Sequence, residues 1–398
     1  MSLLRLLLVA VLSLLGASLH AQERPPVLVG LDAEFGLDKS TSAQAIERGI
    51  LIALDEINRA GGVLGGRRIE LVSRDNRSVT ARGIRNLKEL AAMPEMVAMF
   101  VGRFSPVALE YIDLAHDLQM IVLDPWAAAD AITDNGHQPN FAFRLSLKDS
   151  LAMPAMFRHA LAKGARRVGL LLPNTSWGRS NLAAADRYYL SADLPKSVGI
   201  EWYQWGDQSM IEKYQALRAA GAEAIVFVAN DTEAVVLFRD MAQLPEHERI
   251  PIVSHWGVTG GDFADQVRGM LDDVDFSVVQ TFSFFNADTN IRARVMAIAE
   301  RLFGISKFDQ IESPVGVGHA YDLTHLLAQA IERAGTTERS AVREALEQLH
   351  DYPGLVRRFA RPFSPQNHDA LGAEDVFMAR YRASDGAIVP LSWQAGNQ

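Results

Sequence analysis

The sequence predicts an α/β protein with two doubly wound parallel sheets, on three observations. At 398 residues the chain is too long for one core of ordinary size. From residue 27 to residue 125 short apolar runs alternate with helical patterns, and after about residue 144 the same rhythm starts again. Two βα sets in one chain mean two sheets. Apolar residues make up 48% and charged residues 22%, the balance of a folded, soluble protein.

Ahead of the first set stands MSLLRLLLVAVLSLLGASLHAQ, with one base (Arg5), an apolar run and small residues before Ala21-Gln22. This reads as a secretory signal peptide, too short and wrongly flanked for a membrane anchor. Cleavage is expected after Ala21, although Leu19 stands where alanine is preferred. Its loss removes one base and no acid, so the mature chain is one charge more negative than the −9 of the full sequence. An acidic surface argues against nucleic acid or anionic membrane as a partner. The absence of cysteine excludes disulfides, thiolate metal sites, a cysteine nucleophile and a lipidated cysteine anchor. The expected product is exported and free in a bacterial periplasm.

In the first set VLVGLDA (27–33), RIELVSRD (68–75), VAMFVG (97–102) and MIVLDP (120–125) read as strands ending in polar or glycine-bearing turns. A helix starts near Thr41, where Ala45, Ile46, Gly49, Ile50, Ala53, Leu54 and Ile57 form one apolar face. Thr41 and Gln44 fit a capping box, and Gly61 fits the stop. In the second set RVGLLLP (167–173), IEWYQW (200–205), AIVFVAN (224–230) and PIVSHW (251–256) read as strands. Helical patterns at 288–303, 315–334 and 338–349 precede a tail, 356–391, of strands joined by Pro, Asn and Asp-Gly turns. That tail can return to either sheet.

Ligands of open α/β sheets bind beyond the carboxyl ends of the strands. Those turns are Asp32–Gly36, Gly102–Pro106 (with Arg103, Phe104 and Ser105), Asp124–Ala127, Pro173–Gly178, Asn230–Glu233 and His255–Gly257. Aromatic and charged residues recur in them, the make-up of a small-molecule pocket. In IVLDPWAAAD (121–130) a buried strand runs straight into a carboxylate, a proline and a tryptophan. No G-x-S-x-G elbow, phosphate loop or H-E-x-x-H helix occurs. Gly316-Val-Gly318 lacks a third glycine and a preceding strand, and His319 and His325 fall on different sides of a helix. The serines and His255 of the turns have no recognised triad spacing, so no enzyme, metal or cofactor is expected.

The segment ERGILIALDEINRAGGVLGGRRIELVSRDNRS (47–78) resembles type I periplasmic solute-binding proteins of the leucine/isoleucine/valine-binding kind. FVGRFSPVAL (100–109), MIVLDPWAAAD (120–130), FAFRLSLKDSLAMPAM (141–156) and LLPNTSWGRS (171–180) extend the resemblance over almost the whole mature chain. It implies two lobes joined by three crossovers, closing by hinge motion on one small solute that is handed to a membrane ABC permease. A sensor presenting its solute to a membrane signalling receptor would use the same fold. On that pattern lobe one is 27–144 plus 284–355 and lobe two is 145–283 plus 356–398, acting as a monomer.

By the resemblance, Ser105 matches a serine that grips an amino-acid carboxylate, and Trp126 and Ala127 fall where backbone groups contact the amino-acid head. Ala128 stands where the family often has a threonine, and Trp177 where an aromatic covers the ligand. Asn230 or Asp231 falls near another contact, and His255 or Trp256 where amino-acid binders place an acid for the ammonium group. Without that threonine and that acid the amino-acid clamp is incomplete, although Asp231 or Asp124 could supply the charge. The tryptophans favour a ligand with a flat or apolar body, or a cation held against ring faces.

The residues also admit plainer roles. Trp126 and Trp177 could fill core, and Ser105 before Pro106 could cap a helix. Arg103 could pair the lobes or hold an anion, and Asp124 could simply accept amides of its Asp-Pro turn. Asp231 could cap the helix after it, and His255 could be a satisfied core histidine.

Overall fold

The structure, a computed structural model, describes residues 24–394, so the expected signal peptide lies outside the described residues. The first sheet has the order β2-β1-β3-β4-β5, all parallel. Its strands are β1 (Val27–Ala33), β2 (Ile69–Asp75), β3 (Met96–Val101), β4 (Ile121–Asp124) and β5 (Ala142–Arg144). Then come β6 (Val168–Pro173), β7 (Gly199–Tyr203), β8 (Ala224–Phe227), β9 (Ile252–Ser254) and β10 (Phe276–Gln280). A small antiparallel pair follows, β11 (Tyr352–Pro353) and β12 (Arg358–Phe359), and then β13 (Phe377–Tyr381) and β14 (Ile388–Pro390). The second sheet has the order β14-β13-β10-β9-β8-β6-β7.

The tail therefore returns to the second sheet, and it does so antiparallel, making that sheet mixed. Sequence periodicity missed β5 and β10. In β5 three residues are too few to show a period, and its last one is the charged Arg144.

The predicted helix near Thr41 spans Ser42–Arg59 and buries the expected face. Gly49 lies in it because the helix Pro314–Ala334 crosses there, and a Cβ would run into the Val317 carbonyl. The predicted capping box does not form. Thr41 Oγ1 bonds Ser313 Oγ at 2.6 Å instead, and Gln44 Oε1 has no partner among the described residues. The residues after β10 pack helices Thr289–Phe303 and Pro314–Ala334 on Ser42–Arg59, so the chain passes between the sheets three times.

Two of those passages are tied by one ion pair. Arg144 and Asp369 face each other as a parallel bridge, with Arg144 N donating to His368 O at 2.8 Å and Ala370 N to Arg144 O at 2.9 Å. The fully buried Arg144 donates from Nε to Asp369 Oδ1 at 2.7 Å, and Lys148 Nζ donates to Oδ2 at 2.8 Å. Burial pushes the Asp369 carboxyl up, but Arg144 and Lys148 outweigh it and hold the group at about 2. Asp369→Asn should therefore leave an uncompensated buried guanidinium and cost about 3–5 kcal/mol, read as a lower urea midpoint.

Candidate functional site

The turns at the carboxyl ends of the two sheets meet face to face, and nearly every polar group between them is buried. From the first lobe come Glu34 after β1, Arg103, Phe104 and Ser105 after β3, and Asp124 to Ala129 at and after β4. From the second come Asp149, Trp177 after β6, Asn230 and Asp231 after β8, and His255 to Gly261 after β9.

The turn His255–Gly261 is wedged into the first lobe. Gly260 O accepts from Thr41 N at 2.9 Å and Ser42 N at 3.2 Å, which satisfies free amides at the start of the 18-residue helix Ser42–Arg59. Ser313 Oγ donates to Thr259 O at 2.7 Å. Arg103 adds the charge. Its Nη1 lies 2.7 Å from Asp231 Oδ1 and its Nε lies 3.8 Å from Glu34 Oε1, so one cation of the first lobe serves an acid on each side. The contact with Asp231 is a charge pair without an aligned hydrogen bond, since both Arg103 Nε and Asp231 Oδ1 lack one. Arg103 is thus a pairing residue between lobes, and Asp231 caps no helix although Asp231–Ala242 begins at it.

Trp126 is buried between Gly316, where any Cβ would meet its ring, and Trp256 of the other lobe, with ring centroids 5.8 Å apart. Trp256 in turn lies 5.6 Å from His319. Burial pushes His319 down to about 4, so the ring is neutral. Its Nδ1–H donates to Pro125 O at 2.9 Å and its Nε2 accepts from Thr281 Oγ1 at 3.1 Å. His319 is accordingly a packing histidine that fixes the Asp-Pro turn. Phe104 is half-buried, edge-on to Trp205 at 5.5 Å and under the Arg103 guanidinium at 4.8 Å.

Asp124 Oδ1 accepts from Trp126 N at 2.9 Å and Ala127 N at 2.7 Å, the plainer of its two predicted roles. Ser105 does not cap the short helix Ser105–Leu109. Its hydroxyl turns across to accept from Ala128 N and Ala129 N, both at 3.2 Å. Ala128 O accepts from Asp149 N at 2.8 Å, joining the lip of the first lobe to the start of the helix Asp149–Ala162. Asp149 Oδ1 then accepts from Trp177 Nε1 at 3.2 Å and from His255 Nε2 at 3.1 Å, with the two rings edge to face at 5.0 Å. Asn230 is buried beside Gly257, whose missing Cβ lets Trp177 approach.

Sequence reasoning singled out neither Glu34 nor Asp149 as site residues. Glu34 stood in a flagged turn, whereas Asp149 begins a helix before any second-sheet strand and gave no strand-end signal. A cavity of about 140 Å³ lined by Thr259, Gly261, Ser313 and Tyr381 opens at the margin of this interface. A larger groove of about 710 Å³ around Glu56 and His325 lies on the helices of the first lobe, away from the strand ends. We place the site at the strand ends, where groups of both lobes converge.

Two α/β sheets meeting over a buried polar cleft define a two-lobed solute-binding protein. The chain belongs to the family described as periplasmic binding protein, whose profile matches residues 31–387. It is 23% identical over 326 residues to the Leu/Ile/Val-binding protein homolog 1 of Brucella abortus (strain 2308), covering 81% of this chain and 82% of that one. It superposes on a type 1 periplasmic binding protein of Bordetella pertussis Tohama I with a TM-score of 0.81 at 20% identity, over 92% of this chain and 99% of that one. It also superposes on an ABC transporter solute-binding protein of R. palustris in complex with 4-hydroxybenzoate, with a TM-score of 0.76 at 16% identity over 93% and 96% of the chains. The leucine/isoleucine/valine-binding resemblance and the fold read from the sequence thus hold.

Two outcomes are expected from this geometry. Burial pushes the Asp124 carboxyl up to about 7, against the pull of Arg144 and of the Trp126 and Ala127 amides, from an ordinary 3.8. The folded state then holds a proton that the unfolded chain releases, so this group's contribution is full below pH 3.8 and lost as pH rises to about 7. Thermal melts should show wild type losing stability relative to Asp124→Asn across that window, and no further above it. Arg103→Gln leaves Glu34 and Asp231 buried without their cation, costing this contact between the lobes about 3–5 kcal/mol. Small-angle scattering should find the unliganded variant with a larger radius of gyration than wild type.

Proposed function

We propose that the protein is the periplasmic solute-binding component of an ABC importer, taking one small organic solute of amino-acid-like, amide or aromatic type between its lobes. The observation that carries this is the convergence of strand-end turns from both sheets on one buried interface, where Arg103 reaches Asp231 and Trp126 reaches Trp256. A solute touching both faces favours the closed form because only that form lets it touch both.

The relatives support the class. One is called a Leu/Ile/Val-binding protein and another holds 4-hydroxybenzoate. The lobes divide as 27–144 plus 284–355 and 145–283 plus 356–398, with an N-terminal segment that directs export and is removed near Ala21. No described helix is long and apolar enough to cross a membrane. The chain acts as a monomer that meets its permease with both lobes.

In this reading Ser105 and the 126–129 backbone shape one wall, Trp177, Asn230 and His255 the other, and Trp126 and Trp256 close the floor. Thermal-shift screening of amino acids, aromatic acids, amides, polyamines and short polyols tests it. A stabilising solute is expected, and binding to a membrane receptor domain with no solute of any class would sink the transport reading. Trp126→Ala and Trp177→Ala should each weaken the solute so found by about tenfold or more, since each removes an aromatic surface worth about 1.4 kcal/mol or more. Unchanged affinity in both removes them from the pocket.

A further inference from the structure

We infer that the cleft selects a cationic, N–H-donating solute, with Asp149 as the acid that reads it; this rests on the solute-binding reading above.

An anion needs donors, and the obvious ones here are taken. Thr41 and Ser42 amides at the helix start go to Gly260 O. Trp126 and Ala127 amides go to Asp124 Oδ1, and Ala128 and Ala129 amides to Ser105 Oγ. Arg103, the buried arginine that follows β3, already faces two acids, Glu34 and Asp231. A carboxylate entering here would have to break bonds the protein makes with itself.

A donor meets the reverse situation. Asp149 is wholly buried, yet its Oδ2 has no partner among the described residues. Its Oδ1 is held by Trp177 Nε1 and His255 Nε2, and no lysine or arginine among the described residues pairs with it. With its Nε2 turned to Asp149, His255 leaves its Nδ1 buried without a partner among the described residues as well. Close by, Glu233 Oε2 is also unpartnered, beside Asp231 and Arg103. A buried carboxyl oxygen with free acceptor capacity is costly unless a donor arrives. A protonated amine or amidine supplies the charge and at least two N–H donors. The Trp177 ring, held edge-on to His255, gives a cation or a flat body a face to lie on.

His255 therefore does not replace an acid at this position. It holds one, on a different element, at 3.1 Å.

The test uses the mature protein and two pairs of near-isosteric probes of opposite charge, benzamidine against benzoate and phenethylamine against 3-phenylpropionate. Binding is measured by titration calorimetry to wild type and to Asp149→Asn, which keeps the Oδ1 acceptor and loses the charge. The expected result is at least a tenfold preference for the cation in each pair, reduced at least tenfold in the variant while circular dichroism is unchanged. Should Asp149→Asn not fold, the wild-type preference decides alone. Preference for the anions, equal binding, or an anionic solute emerging from the thermal-shift screen overturns the inference and leaves the solute-binding reading intact. No binding by the four probes or by any screened solute overturns both.

Discussion

The buried guanidinium of Arg144 is the interaction from which the geometry of the cleft follows. Arginine cannot shed its charge, so a fully buried one must be surrounded by acceptors. Here they are Asp369 Oδ1, Thr133 Oγ1 at 2.6 Å, Ala129 O at 2.8 Å and, at 3.4 Å, Ala127 O. The carboxylate belongs to the passage returning to the second sheet, and the carbonyls belong to the lip after β4. One cation thus joins a passage between the sheets to the lip after β4. In a trans peptide the C=O and the next N–H point opposite ways. Drawing the Ala127 and Ala129 carbonyls to Arg144 therefore aims the Ala128 amide at Ser105 Oγ and the Asp130 amide at Ser180 Oγ of the second lobe, each at 3.2 Å.

The second lobe answers with the turn after β9. Its Gly260 carbonyl lies on the N-terminus of the helix Ser42–Arg59, where partial positive charge and unsatisfied amides make an oxygen welcome. This explains why the sequence places Thr41 and Gln44 as if for a capping box that never forms: the other lobe's backbone does the capping. The glycines of the turn permit the approach, since a Cβ on Gly260 would strike Arg103 and one on Gly261 would strike Asp231. Gly316 does the same for Trp126, so the pair Gly316-Val-Gly318, which carried no nucleotide signal, makes room for an aromatic ring under each glycine.

How much of this was legible follows from the range of the forces involved. Strands β1 to β4 and β6 to β9 and the long helices were readable because apolar periodicity is a local property of the chain. The strand-end turns were readable because topology sends ligands there. Partnerships were not. That Ser105 would serve the amides of Ala128 and Ala129 rather than cap its own helix, and that Asp231 would leave its helix for Arg103, depends on groups far away in sequence. Trp126 was recognisable as misplaced for a simple turn, but not as the partner of Trp256. Asp149 was invisible for the same reason: one carboxylate among many until the fold sets Trp177 and His255 on its first oxygen.

The contact between the lobes has a charged part and an aromatic part. Arg103 faces Glu34 within its own lobe and Asp231 across the interface, and all three groups are buried. Such a buried triad gains Coulomb energy and loses hydration in similar measure, so it fixes the register of the lobes more than it drives them together. The aromatic contact of Trp126 with Trp256 adds buried area across the interface. Neither term distinguishes one solute from another. On the proposal above, selection comes from the atoms this interface leaves unsatisfied, Asp149 Oδ2 and His255 Nδ1, and a solute that satisfies them favours the state in which both lobes touch it.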